Sequence, residues 1–421
     1  MAQTTEYGGP AILSRGEMPS LNAPASISFR PFIGISGIYD TSLFPVAVTS
    51  TGQVPFTDGY GEELNYGLSG SQVWQRTTLS LDFRGDLRHY SPQSYYDSSD
   101  DFLALTLTNT PARHLKFTLR SQAGTYSQNS FLPNYEYLYP TYLQTPQNDI
   151  YDNRVIFGSA AGDLTYQKSA RLSFNIGGEG DLVRRRSTAL YGVTEAAARG
   201  DVQYRITRHS TIGADYHYMH FDFTRGFGYS NIQSVGVDYS TQFTRQLQLS
   251  AHIGGARVTG LNLVDIPIDP AIAAIIGQTF GVQTAHPLQY APDIMARLTY
   301  SQRHSTFSVG YLNTVSPGNG IYLTSKMQSG TGSYSYTGIR NWNFGLDSYY
   351  SRLDALVQTL GAYDSYGGGM GVTRTLGKGL HAVMRFDALR YQIANNFFAH
   401  NEYRVSVGLN WSPGEVPLAL W

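Results

Sequence analysis

Apolar and polar residues alternate over long stretches of the chain. Examples are Leu79-Ser80-Leu81-Asp82-Phe83, Leu115-Lys116-Phe117-Thr118-Leu119, Leu172-Ser173-Phe174-Asn175-Ile176, Leu247-Gln248-Leu249-Ser250-Ala251 and Trp342-Asn343-Phe344-Gly345-Leu346. A period of two is the mark of a β-strand with one apolar face. Counting such runs predicts about 18 strands, at 27–40, 64–72, 77–89, 101–109, 114–126, 153–166, 171–184, 190–204, 210–223, 231–243, 247–258, 290–301, 306–316, 321–337, 341–353, 362–375, 380–392 and 400–411. The first two alternate least clearly, and without them the count is 16.

The runs follow a spacing rule. Basic residues recur in short turn-like segments at Arg76, Arg113, Arg171, Arg208, Arg245, Arg303, Arg340 and Lys378, separated by 37, 58, 37, 37, 58, 37 and 38 residues. An alternating run follows most of them, and another ends before many, often on Tyr, as at Tyr166, Tyr204, Tyr300 and Tyr336. Each unit of 37 residues therefore holds two strands, one tight turn and one longer connection. The two longer spacings contain oversized loops, Tyr126 to Asn153 and Val258 to Pro292. A propeller blade of similar period would hold four short strands. Two strands per unit, each long enough for the 9–11 tilted residues that cross a bilayer, fit a transmembrane barrel instead.

Composition agrees. Charged residues are only 14% of the 421-residue chain, with 32 Tyr, 44 Gly and no Cys. A net charge of −1 excludes the basic footprint of a nucleic-acid binder. Abundant aromatic and β-branched residues exclude disorder, and the longest apolar run, Ala271 to Ile276, is far too short for a membrane helix. The expected fold is all-β, a closed antiparallel transmembrane β-barrel with short periplasmic turns and long extracellular loops. Residues 1–26 would form a periplasmic extension, 27–411 the barrel and 412–421 a tail. The opening Met1-Ala2-Gln3 has no signal-peptide pattern and reads as a mature start after signal removal.

Alternation also sorts the faces. With Leu79, Leu81, Phe83 and Leu87 toward lipid, the lumen receives Asp82, Arg84, Asp86 and Arg88. The same reasoning places Lys116, Arg120, Glu179, Asp181, Asp215, Arg297, Asp347, Arg385, Asp387, Glu402 and Arg404 on the pore-lining face. Such residues either set a transverse field across an aqueous lumen or pair within the wall. The strand-end tyrosines would form an interfacial belt.

Loops offer further candidates. Asp269 to Gly277 has an N-cap, Pro270 at the first helical position and a closing Gly, which predicts a short apolar helix in the longest late loop. It would constrict the pore, contact a partner, or only cap the loop. Phe131, Tyr135, Tyr137, Tyr139 and Tyr142 could stack on sugars or on one another. Asp97 to Asp101 reads as a solvated acidic loop, since it lacks calcium-loop spacing. No nucleophile elbow, His-Glu-x-x-His helix or phosphate loop is present. His217 and His220 fall on opposite strand faces. No catalytic residue, metal site or cofactor is expected.

With these strands, basic turns and the terminal aromatic Trp421, the chain resembles bacterial outer-membrane β-barrels of the porin and exporter type. One departure is that Pro413 and Pro417 separate Trp421 from the last alternating run, Tyr403 to Trp411. The resemblance implies a Gram-negative outer membrane, contact with its lipid and lipopolysaccharide, and insertion by the barrel assembly machinery. It implies a non-enzymatic channel for small polar solutes. The alternatives are a conduit for a secreted polymer such as a polysaccharide, working with periplasmic partners, and a structural or adhesive barrel with a blocked pore. No segment specifies an oligomer.

Overall fold

The computed structural model describes residues 26–43, 57–91, 96–126, 154–269, 277–356, 361–393 and 398–412. Its first strands are β1 (Ser26–Leu43), β2 (Thr57–Val73), β3 (Thr77–Ser91), β4 (Ser98–Ala112), β5 (Leu115–Tyr126) and β6 (Val155–Gln167). There follow β7 (Leu172–Arg185), β8 (Gly192–Arg205), β9 (Ser210–Thr224), β10 (Tyr229–Gln242), β11 (Leu247–Pro267), β12 (Phe280–Ala285) and β13 (Leu288–Ser301). The last are β14 (Ser305–Ser316), β15 (Ser325–Tyr336), β16 (Trp342–Ala355), β17 (Tyr363–Gly377), β18 (Leu380–Ile393) and β19 (Phe398–Trp411).

Wall strands pair antiparallel with their sequence neighbours, and β1 pairs with both β2 and β19. The seam runs from Ile33↔Trp411 to Asp40↔Arg404. The sheet is thus a closed barrel of 18 strands, with β12 as a short rider paired only to the upper end of β11. Closure leaves no strand edge to be satisfied in hydrocarbon.

Two sequence expectations need correction. The interval Val258 to Pro292 is not one loop: β11 runs on to Pro267 and folds back through β12, because alternation persists past Val258. Asp97 to Asp101 is not a free acidic loop either, since β4 begins at Ser98. There Asp97 accepts the Tyr90 backbone N–H at 2.9 Å, Asp100 pairs with Arg88 at 2.5 Å and Asp101 accepts from the Tyr66 hydroxyl at 2.8 Å. Residues 270–276, the core of the expected helix, lie outside the described residues, as do 1–25, 127–153 with its aromatics, and the tail from 413.

All eight basic turns lie at one rim of the barrel, and none contains a carboxylate. Hydroxyl side chains hold several of them. Ser169 Oγ accepts the N–H groups of Arg171 and Leu172, Thr244 Oγ1 those of Gln246 and Leu247, and Thr207 Oγ1 that of His209. Such side-chain acceptors replace strand bonds where the chain reverses.

The outer face is the inverse of a soluble surface. Ile176, Ile253 and Ile156 are 69%, 66% and 63% exposed, and Val235, Leu346, Met370 and Val407 stand out in the same way. Tyr166, Tyr204 and Trp411 project outward beside the basic turns. At the opposite rim the outward side chains become polar: Tyr39 bonds Asp58, His220 bonds Asp222, and Arg352 pairs with Asp354. An apolar band bounded by aromatic and polar collars is what a lipid bilayer requires.

The seam carries a buried ionic cluster. Arg404 Nε and Nη2 reach the Asp40 carboxylate at 2.5 and 3.1 Å, and the Tyr90 hydroxyl donates to Asp40 at 2.5 Å. Asp40 is fully buried. Asp40→Asn should remove the carboxylate that Arg404 grips through two nitrogens and destabilise the folded barrel by about 3 kcal/mol. A lowered urea midpoint in detergent micelles would show it, and an unchanged midpoint would refute the role assigned to the cluster.

Candidate functional site

The residues that alternation assigned to the lumen share the strand face opposite exposed apolar residues such as Ile176, Leu346 and Val407. Most of these charges meet a partner in the wall. Arg84 spans Asp82 at 3.0 and 2.6 Å, and Arg88 reaches Asp86 at 2.6 Å. Arg385 bridges Asp387 at 2.7 Å and Asp347 at 3.1 Å. Arg120 and Arg199 converge on Asp163 at 2.9 and 2.7 Å, and Arg199 and His217 each lie 3.6 Å from Glu179. Arg297 donates to Ser308 at 3.1 Å. Lys116 lies on the Arg120 face of β5, and Glu402 lies two residues from Arg404 on β19.

Asp215 belongs to a second arrangement. His252 Nδ1 lies 3.0 Å from Asp238 and 3.3 Å from Asp215, with its Nε2 3.8 Å from Asp293. The four residues come from β9, β10, β11 and β13, which are neighbours in the sheet, so strand pairing assembles them. Asp40, Asp163, Glu195 and Arg199 also face the lumen and were not singled out from sequence. The alternation that found Asp82 would have found them too. Among the described residues of the inward face, carboxylates outnumber Arg and Lys.

The interior is not uniform. Toward the polar rim an apolar cluster replaces the charges: Phe102, Phe157, Val183, Val193, Met219, Phe221, Ile232, Val258 and Val315. Apolar groups inside a wide barrel need a cover, and the β14–β15 connection supplies it. β13 and β14 pair only from Ser301↔Thr306 up to Ile294↔Asn313, whereas β14 and β15 stay paired to Ser316↔Ser325. Above Asn313 β14 parts from β13 but keeps its pairing to β15, which itself stays paired to β16 up to Ser325↔Ala355. The connection folds inward, and residues 313–320 are all buried.

The inward loop, residues 317–324, is fastened on both sides. The Tyr191 N–H donates to Gly320 O at 3.0 Å, and Ser230 Oγ and Thr324 Oγ1 share a bond of 2.5 Å. Opposite, the Tyr322 hydroxyl donates to Gly361 O at 2.5 Å and the Leu356 N–H to Thr324 O at 3.1 Å. Burial, with Asp354 and Asp364 nearby, pushes the Tyr322 hydroxyl up to about 12, so it remains a donor throughout the neutral range. Tyr322 also packs with Met327, Leu353, Tyr363 and Tyr391.

Alternation predicts a strand over 321–337, but the strand begins at Ser325. Residues 321–324 belong to the loop because Ile321, Tyr322 and Leu323 are consecutive apolar residues that bury inward rather than alternate. Pro317-Gly318-Asn319-Gly320 is the visible signal of the turn. Gly318 and Gly320 adopt φ of +79° and +95°, which an L-residue rarely takes.

No protein-family model and no curated protein matches the chain. Among solved structures, Pseudomonas aeruginosa OpdQ is 15% identical, covering 93% of this chain and 98% of its own, with a TM-score of 0.41. The outer membrane protein OpdK of the same organism is 11% identical over 91% and 99%, with a TM-score of 0.42. Acinetobacter baumannii OccAB4 is 11% identical over 94% and 99%, with a TM-score of 0.39. Similarity at this level says nothing about what crosses this barrel, which its own lining decides.

A Cβ on Gly318 would lie 1.7 Å from Tyr322 O and 2.3 Å from Leu323 O. Gly318→Ala should therefore release the loop, the left-handed backbone alone costing about 1–2 kcal/mol. Chymotrypsin should then cut the folded variant at Tyr322 or Leu323 and spare the parent. Equal resistance would show that the loop is held without that turn.

Proposed function

We propose that the chain is a narrow outer-membrane channel that passes small polar solutes and favours cations. The observation that carries this reading is the two-faced wall, apolar toward lipid and ionic within, closed by eighteen strands. A barrel of that strand number is too wide for wall side chains to fill. The inward loop reduces it from the polar rim. It covers the apolar sector and leaves the charged sector of β18, β19 and β1 to β5 as the hydrophilic side of the path.

Carboxylates in excess on the inner face supply a negative potential, and low-dielectric walls concentrate it. Arg–Asp pairs in the wall cancel one another at distance, so the carboxylates in excess set the preference. Arg120, whose side chain is 52% exposed although it pairs with Asp163, is the cation that most offsets them. A loop fastened to both sides also weighs against a conduit for a bulky secreted polymer.

Reconstitution in planar bilayers tests the proposal. The protein should give stable conductance steps with cation permeability above that of anions, and the preference should weaken as salt screens the wall. Arg120→Glu should raise the cation-to-anion ratio roughly two- to fivefold, on the order of 1 kcal/mol at an exposed site. Deleting residues 318–323 should increase single-channel conductance. Silence from both the parent and the deletion variant would overturn the channel reading.

A further inference from the structure

Three inward carboxylates gather on two neighbouring strands. Glu179 and Asp181 on β7 and Glu195 on β8 each bring a carboxylate oxygen within 4.8 Å of the other two. Asp181 and Glu195 are direct register partners, the placement at which like charges on a sheet repel most. Arg199 and His217 lie 3.6 Å from Glu179 and offset part of its charge.

Glu195 is the unusual member. It is only 4% exposed, and its Oε2 meets no hydrogen-bond donor among the described residues. Its register neighbour on β9 is Phe221, and Val193 follows on the same face of β8. Several other buried acids are held differently: Asp40, Asp82, Asp100, Asp163 and Asp387 each reach an arginine. A buried carboxylate aimed at two others requires a positive charge or a proton.

We propose that Glu179, Asp181 and Glu195 form a calcium site on the lumen wall. The donors are all hard carboxylate oxygens, the set that calcium prefers over softer ions. Three oxygens at about 2.3–2.6 Å from one calcium can stand up to roughly 4.5 Å from one another, so the observed spacing, within 4.8 Å, needs only a small movement of the side chains to close on the ion. Magnesium, with bonds of about 2.0–2.1 Å, would require the oxygens to close up. Glu179 is the most open of the three and faces the lumen, so the ion enters from there, and water completes its shell. Bound calcium would clamp β7 to β8 two turns of the alternation below Arg185, whose side chain lies against Gly320 of the inward loop. Sequence spacing concealed the site because its ligands come from two strands.

The test uses full-length protein refolded from urea into micelles free of lipopolysaccharide, which itself binds divalent ions. Isothermal titration with calcium chloride at neutral pH should show one ion per chain. The affinity should lie between about 10⁻⁵ and 10⁻³ M, the range of sensor and extracellular sites. Glu195→Gln and Asp181→Asn should each weaken binding at least about tenfold. Calcium should raise the unfolding temperature of the parent relative to EDTA, and this increment should be lost in Glu195→Gln. The amide variant keeps the shape of the side chain, and its heat-modifiable migration on a gel reports that it has folded. Absence of calcium binding by the parent at 5 mM, as expected if a proton neutralises Glu195, would overturn the site (roughly fivefold above the weakest expected dissociation constant). Unchanged binding in folded Glu195→Gln would overturn it equally. Both readouts are independent of conductance.

Discussion

Backbone hydrogen bonding in a medium without water is the constraint on which this molecule depends. A strand edge exposed to hydrocarbon leaves its N–H and C=O groups unsatisfied, so the sheet must close. The β1–β19 seam meets that demand and brings residues more than 360 positions apart into register. Once the wall is complete, side chains are free to differ on its two sides. The outer set follows lipid, and the inner set follows water and charge.

The inner set shows how a barrel carries many ionised groups without opening its wall. Arginine is the common partner because its planar fork reaches two carboxylate oxygens together. Neighbouring inward positions two residues apart, such as Asp82 and Arg84 or Arg385 and Asp387, make such pairs along one strand. Others cross strands, as Arg404 does to Asp40 and Arg199 to Asp163. These pairs hold the strands in register and lower the field that the lumen would otherwise carry. What remains to act on a solute is the excess of carboxylates and the more exposed cations.

The inward loop reconciles two chemistries inside one barrel. Pairing between β13 and β14 ends at Ile294↔Asn313, which frees the β14–β15 connection to turn inside. The lost ladder bonds are replaced in part by bonds to Tyr191, Leu356 and Gly361. Apolar inward residues that a water-filled tube would expose then become a packed core. The result is a channel wall with an ionic sector and a dry sector.

Much of this was legible in the chain. Alternation marked the wall strands, because a face toward lipid and a face toward water impose a period of two on each of them. It also assigned Asp82, Arg84, Arg385 and Asp387 to the inside, and the repeating basic turns located one rim. Boundaries were less legible where that pressure fades, at the extended β11 and at the loop misread as the start of β15. Partners were beyond reach: His252 gathers aspartates from three other strands, and Glu195 meets Asp181 across a register that sequence does not display. The sequence by itself determined which residues share a face of each strand, since that is a local property of the strand. Only the tertiary structure decided which charges meet and which loop turns inward, because both depend on pairing between distant segments.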